Sequence, residues 1–308
     1  MLYNRILITG ANGLLGQALV ARMSRFPEYD ILATGRDDTP RFQDGSCGYA
    51  PLDITQPSAI RAIYEDFAPN VVINCAAMTQ VDACEDSKSR CWAVNARGPR
   101  HLAEACRDIG ARLLQVSTDF VFDGDEGPYR EDGRPSPVNY YGRSKLAGEN
   151  AARDAGLSKW AVARTMLVFG TGHGLSRSNF VLWIIEKLMN GEPVHIVDDQ
   201  WRMPTYVDDL AAGIERMVHY ERTGIYHLSG RDFTNMYQFA LTIAEVFDLD
   251  RSLITPVSSD YFEDAAPRPP RTGFIILKAE TELDYKPRPL RRALRHLGDK
   301  LDLPVTSS

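Results

Sequence analysis

Ile6-Leu-Ile-Thr9-Gly10-Ala-Asn-Gly13-Leu-Leu-Gly16 decides the fold of this 308-residue chain. An apolar run enters a glycine-rich turn directly, and a helical pattern over 14–26 follows. That order sets the free N–H groups of a helix N-terminus at a strand end, where those donors and the helix dipole stabilise an anion. The glycines permit a tight turn, close backbone approach to a pyrophosphate and close helix–strand packing. The spacing is G-x-x-G-x-x-G, not G-x-G-x-x-G, and a glycine turn can be purely structural. Its place between strand and helix favours a dinucleotide site lined by Gly10, Asn12, Gly13, Leu14, Leu15 and Gly16.

Outward from this turn, strand-like runs at 6–9, 30–33, 71–74, 112–116 and 160–163 alternate with helical stretches near 14–26, 57–67, 83–109 and 140–155. Pro57 and Pro99 suit helix first turns. The alternation predicts an α/β chain, a Rossmann-type doubly wound parallel sheet with a smaller C-terminal substrate-binding lobe. Residues 1–165 form the NAD(P)-binding domain, 206–228 return to it, and 166–308 make up mainly the substrate lobe. Beyond 165, helices are expected at 178–190, 206–220, 234–248 and 287–300, and strands at 194–197, 225–228 and 253–257. Residues 256–273, crowded with Pro and Arg, read as an irregular lid, and the tail from Pro304 as frayed.

Composition narrows the function classes. The net charge of −6 offers no electrostatic case for nucleic acid or an acidic membrane surface. No apolar run approaches the roughly 20 residues needed to span a bilayer, and the start shows no signal-peptide pattern. Five cysteines without a CxxC suggest neither a disulfide framework nor a zinc site. Reduced thiols and a cytoplasmic location are the expectation.

The second strand ends Gly35-Arg36-Asp37. An acid at this point accepts from a ribose 2′-hydroxyl, whereas the Arg36 fork suits a 2′-phosphate. NADPH is therefore expected, with NADH admitted through Asp37. Asp53 and Ile54 lie where an adenine is held, and Ala76, Ala77 and Thr79 follow a strand end beside the nicotinamide. For chemistry, Tyr141-Gly-Arg-Ser-Lys145 supplies a proton donor and, one helical turn on, a cation that favours the phenolate. Ser117-Thr118 offers hydroxyls for a carbonyl oxygen. Tyr-x-x-x-Lys alone is a common surface spacing, and Tyr140, out of register with Lys145, reads as packing.

In order along the chain, Gly10-x-x-Gly13-x-x-Gly16, Asn74-Cys-Ala-Ala77, Ser117-Thr-Asp-Phe-Val-Phe-Asp-Gly124 and Tyr141-Gly-Arg-Ser-Lys-Leu-Ala-Gly-Glu149 resemble the extended short-chain dehydrogenase/reductases. More narrowly they are similar to the dTDP-4-dehydrorhamnose reductase branch. The resemblance covers nearly the whole chain, including Asn179-Phe180, Asp199-Gln200 and Pro204-Thr205. It implies reduction, with NADPH, of the C4 keto group of a nucleotide-linked deoxysugar. Tyr141 is then the proton donor, Lys145 holds the nicotinamide ribose, and Thr118, with Ser117 the less favoured alternative, meets the carbonyl oxygen. Asp119 is placed at the sugar. Asn179, Arg202, Arg268 and Arg271 are candidates for the diphosphate, guanidinium groups pairing with phosphate oxygens.

Three departures stand out. Leu167 replaces a tryptophan that packs on substrate in some members. Ala18 replaces a metal-binding glutamate, so no magnesium and no metal-bridged dimer are expected there, while a homodimer of another kind stays open. Gln200-Trp-Arg-Met-Pro204 replaces a small, glycine-containing segment. The competing readings are an NAD-dependent sugar-nucleotide epimerase and a non-catalytic NADP-binding regulatory subunit resembling that of methionine adenosyltransferase. Phe120, standing where dehydratases carry a second acid, disfavours dehydration.

Overall fold

The structure is a computed structural model that describes residues 4–42, 47–176, 178–262 and 266–306. Its strands are β1 (Asn4–Thr9), β2 (Tyr29–Gly35), β3 (Gly48–Pro51), β4 (Val71–Asn74), β5 (Arg112–Thr118), β6 (Trp160–Thr165), β7 (Val168–Phe169), β8 (Val194–Val197), β9 (Trp201–Arg202), β10 (Thr205–Tyr206), β11 (Gly224–His227), β12 (Thr234–Asn235) and β13 (Ile254–Val257). The helices are α1 (Leu14–Met23), α2 (Pro57–Phe67), α3 (Val81–Asp86), α4 (Lys88–Trp92), α5 (Gly98–Ile109), α6 (Tyr140–Asp154), α7 (Phe180–Met189), α8 (Val207–His219), α9 (Met236–Val246), α10 (Leu277–Leu283) and α11 (Leu290–Leu301).

Seven strands form one parallel sheet in the order β11-β6-β5-β4-β1-β2-β3. The direction of winding reverses between β1 and β4, which opens a crevice at the carboxyl ends of those strands. β1 explains why the sheet needs two covers. Ile6 and Ile8 pack into one core cluster with α1 and α8, while Leu7 joins the opposite cluster with Ile60 of α2 and Leu102 of α5. A strand covered on both faces is apolar where it is covered, as β1 is over Ile6-Leu7-Ile8. A third cluster, built from α7, α9 and α11 around Ile184, Phe239 and Leu294, carries the C-terminal part.

The expected helix over 83–109 is divided. Ser87 (φ −121°, ψ 56°) interrupts it between α3 and α4, and a π-helical turn at Ala93–Arg97 precedes α5. That wider turn presents Asn95 inward, where it is 1% exposed. The sequence pattern misses β3, an edge strand with no fully buried residue, and the seven-residue α10. In the expected lid segment, described residues 256–262 and 266–273 are irregular beyond the strand residues at the start and a 3₁₀ turn at Ser259–Tyr261, and 263–265 lie outside the described residues. The tail is not frayed as far as Thr306, whose N–H donates to Val246 O at 2.9 Å.

Candidate active site

The turn after β1 brings backbone against backbone. Gly10 has φ +67°, and a β-carbon there would lie 2.7 Å from Ala76 N. Only glycine lets the end of β1 touch the loop after β4. Gly13 caps α1 with no side-chain hydrogen bond and no acid in the first turn, so the donors around Leu14, Leu15 and Gly16 and the positive helix end are uncompensated. Asn12 turns aside instead. Its Nδ2 donates to Asp37 Oδ2 at 2.9 Å and Tyr49 Oη at 3.1 Å, and its Oδ1 accepts from Arg41 N at 3.0 Å.

Asp37 also accepts from Arg41 Nε at 2.8 Å, and this guanidinium holds the carboxyl below its usual range. Arg41 Nη1 reaches across to Gly174 O at 2.8 Å. Arg36 is exposed and has no ion-pair partner among the described residues. The end of β2 therefore offers an open guanidinium beside an acid already neutralised, an arrangement suited to a 2′-phosphate. Asp53 is exposed, with Oδ1 accepting from Thr55 N and Oγ1 at 2.9 and 2.8 Å. Ile54 is buried, its Cδ1 2.6 Å from where a β-carbon on Gly98 would sit. Ala76 and Ala77 are half-buried, and Thr79 is exposed.

Asn139 starts α6 by accepting from Gly142 N at 2.8 Å, and its Nδ2 donates to Pro267 O at 2.8 Å. One turn apart on this helix, Tyr141 and Lys145 are 8% and 4% exposed. Lys145 Nζ donates to Val116 O at 2.8 Å. Burial pulls the Lys145 pKa down to about 8, with the Glu149 carboxylate working in the opposite direction. The Tyr141 ring meets Phe120 edge-on, centroids 5.8 Å apart. Tyr140 instead packs on Trp92 and under Lys88.

Two supports of α6 were not read from the sequence. Asn95 accepts from Met78 N and donates to Met78 O, both at 2.8 Å, and donates to Ser144 Oγ at 3.0 Å. It thus ties the loop after β4 to the helix carrying Tyr141. Glu149 and Arg164 form a bidentate pair at 2.9 and 2.8 Å that fixes α6 to β6. Both side chains are buried, at 5% and 2% exposure. The only sequence signal for Asn95 is a polar residue on the buried side of a helical pattern.

At the end of β5, Thr118 Oγ1 donates to Asp119 Oδ1 at 3.0 Å. Ser117 Oγ and Thr165 Oγ1, the latter beside Thr118 in the β5–β6 register, are buried with no hydrogen-bond partner among the described residues. Orphaned hydroxyls of this kind cost stability unless something else satisfies them.

Asp119, expected at the sugar, is 2% exposed and committed internally. It accepts from Thr118, from Thr272 Oγ1 at 2.5 Å, and faces Arg202 Nε at 3.6 Å. Burial pushes its pKa up, with Arg202 opposing.

The structure spends three of the four expected diphosphate partners on the protein itself. Arg202 is buried and donates to Trp201 O at 2.7 Å, Pro270 O at 3.3 Å and Pro269 O at 2.7 Å. Arg268 makes a double contact with Asp82, at 3.1 and 2.7 Å. Asn179 caps α7, accepting from Leu182 N at 3.4 Å and donating to Gly170 O at 2.8 Å. Arg271 alone of the four is exposed without an acid partner among the described residues. Leu167 is half-buried with φ +41°, a left-handed conformation that a bulky residue adopts only under constraint.

An NAD(P) molecule fits these residues: an uncapped helix terminus for its pyrophosphate, Arg36 at its ribose end, and a buried Tyr–Lys pair beside orphaned hydroxyls at the other. Fold and site together define an NAD(P)-dependent oxidoreductase of the Rossmann class. The chain belongs to the family described as the RmlD substrate binding domain, which matches residues 4–303. It is 37% identical to the dTDP-4-dehydrorhamnose reductase of Mycobacterium tuberculosis H37Rv over 312 aligned residues, covering 99% of this chain and 94% of that one. It is also 33% identical to methionine adenosyltransferase 2 subunit beta of Xenopus tropicalis, over 86% of this chain and 78% of that one. The crystal structure of dTDP-4-dehydrorhamnose reductase from Bacillus anthracis in complex with NADP superposes with a TM-score of 0.86 at 32% identity, covering 97% and 99% of the two chains.

Proposed function

We propose that this chain reduces the 4-keto group of a nucleotide-linked deoxysugar with NADPH, NADH being an alternative donor, as a dTDP-4-dehydrorhamnose reductase-like enzyme. The observation that carries this reading is the buried Tyr141–Lys145 pair on α6, which Lys145 ties to β5 at Val116, two residues before Thr118. NADPH, when bound, supplies the hydride to the sugar carbon. Thr118 turns its hydroxyl from Asp119 to the carbonyl oxygen, and Tyr141 delivers the proton as the alkoxide forms. Lys145 keeps two N–H donors beyond Val116 for the nicotinamide ribose, and its charge eases proton loss from Tyr141. Oxyanion hydrogen bonding and proton donation each contribute on the order of 10²-fold or more. Both Tyr141 and Lys145 are present and buried, which disfavours a purely regulatory role. The division into 1–165 with the 206–228 return and a 166–308 substrate lobe, assembly as a homodimer and residence in the cytoplasm belong to the same reading.

The test follows NADPH absorbance with dTDP-, UDP- and GDP-linked 4-ketosugars. Absorbance falls with at least one of them, and Tyr141→Phe keeps NADPH affinity while losing roughly 10²- to 10⁴-fold in turnover. NADPH binding without turnover across the whole panel transfers the chain to the regulatory reading.

A further inference from the structure

The carboxyl ends of β5 and β6 lie side by side, and their register pairs Thr118 with Thr165. Parallel partners turn their side chains to the same face of a sheet, one strand spacing apart, about 4.8 Å. Which face is set further back along both strands. Leu114, Ala161 and Ala163 belong to the core cluster with α1 and α8, and Val116 packs against it. Two residues on, Thr118 and Thr165 continue that face at the strand ends. Ser117 and Arg164 alternate to the other face, where Arg164 meets Glu149 of α6.

The two threonines are occupied differently. Thr118 Oγ1 donates to Asp119 Oδ1 at 3.0 Å and accepts from Phe120 N at 3.3 Å. Thr165, 7% exposed, has a buried Oγ1 with no hydrogen-bond partner among the described residues. The backbone on both sides of it is tied down. Arg164 O accepts from Leu228 N at 2.8 Å, Leu167 O from Thr205 N at 3.2 Å, and Met166 Sδ from Met203 N at 3.1 Å. The chain therefore cannot shift to bring the hydroxyl a partner. For the fold alone valine would serve better. It has the same branched shape, suits a strand and leaves no buried polar group unsatisfied. A hydroxyl held at that cost, at the strand ends where an open α/β sheet binds ligands, points to a partner outside the chain.

We propose that Thr165 holds the substrate beside Thr118: while Thr118 takes the carbonyl oxygen, Thr165 bonds the ring hydroxyl on the carbon next to the ketone. A threonine hydroxyl both donates and accepts, as a sugar hydroxyl does, and two of them on neighbouring strands suit neighbouring oxygens of one ring. This rests on the reductase reading and makes Thr165 a selector for a ketone flanked by a hydroxyl.

The experiment uses the full chain, NADPH, the nucleotide-linked 4-ketosugar that it reduces, and the analogue with hydrogen in place of the flanking hydroxyl. Thr165→Val raises KM for the sugar by about 3- to 10-fold, spares kcat and leaves NADPH affinity unchanged. Its thermal midpoint stays at or above that of the wild type, because the hydroxyl does nothing for the fold. Thr165→Ser restores most of the lost affinity. With the wild type the analogue shows the raised KM, and Thr165→Val then adds nothing further, the coupling that marks a direct contact. An unchanged KM in Thr165→Val, or an equal rise with substrate and analogue, overturns the assignment while the reductase reading stands. So does a loss of NADPH affinity, which gives the hydroxyl to the cofactor, or a joint fall of midpoint and kcat, which makes it structural. A wild-type chain that binds NADPH and reduces no 4-ketosugar overturns both.

Discussion

Lys145 operates at the edge of its charge. An ammonium in water titrates near 10.4, and burial brings this one to about 8, so neutral pH leaves it cationic with little margin. The sign is set by desolvation: the charged form is disfavoured, and the proton leaves as pH rises through about 8. With it goes the cation proposed to assist Tyr141. The kcat/KM of the reductase should therefore fall above a pH of about 8, by up to tenfold per unit, in a profile taken at subsaturating substrate. A flat profile to pH 9.5 would show that Lys145 keeps its proton or does not serve the reaction. The Tyr141–Lys145 spacing is legible in the sequence because helix geometry alone puts four-residue neighbours on one face. The fates of Arg202 and Arg268 are not, since no local pattern says which carbonyl or carboxylate a long cation meets. Asn179 carried a signal that could have been weighed: Asn before an apolar run is a helix cap first.

Helix α6 shows why the string around Tyr141 is longer than its chemistry requires. A β-carbon at Gly148 would lie 2.4 Å from Asn95 O, so glycine lets the helix close on the π-helical turn. Gly148→Ala is expected to push α6 outward, costing about 1–3 kcal/mol of stability and lowering turnover with it. Thermal unfolding and initial rates check this, and an unaltered midpoint with unaltered rates would mean the turn yields freely. At this scale the sequence reads strands and long helices well, because their apolar periodicity is local. The break of 83–109 into α3, α4, a π-helical turn and α5 escapes it. The pattern there remains helical throughout, and only Asn95's partners in a distant loop decide that one residue is added to the turn.

Across the whole molecule, the burial demand of a doubly covered sheet made the architecture readable, down to a strand near 225–228. Less readable was how the strand ends are finished. His227, at the end of β11, is fully buried, stacked on Phe274 with centroids 3.8 Å apart. Burial first, then the neighbouring Arg164 charge, drives its pKa well below the ordinary 6.5. The unfolded chain thus binds a proton that the folded one refuses. Stability from this residue is complete above about pH 6.5 and is lost as pH falls below it, at up to about 1.4 kcal/mol per unit. Urea unfolding at pH 7 and pH 5 should show that slope, reduced in His227→Leu; an identical slope in the variant would place the acid sensitivity elsewhere. Asp119 has a mechanical consequence of its own. Its single carboxylate joins β5 to both Arg202 and Thr272 in a place closed to water, where parting charged partners is expensive. The Arg268–Asp82 pair, by contrast, is partly exposed and cheap to part. Of the two ties that hold segment 266–273 to the sheet domain, Asp119 is therefore the tight one and Asp82 the loose one.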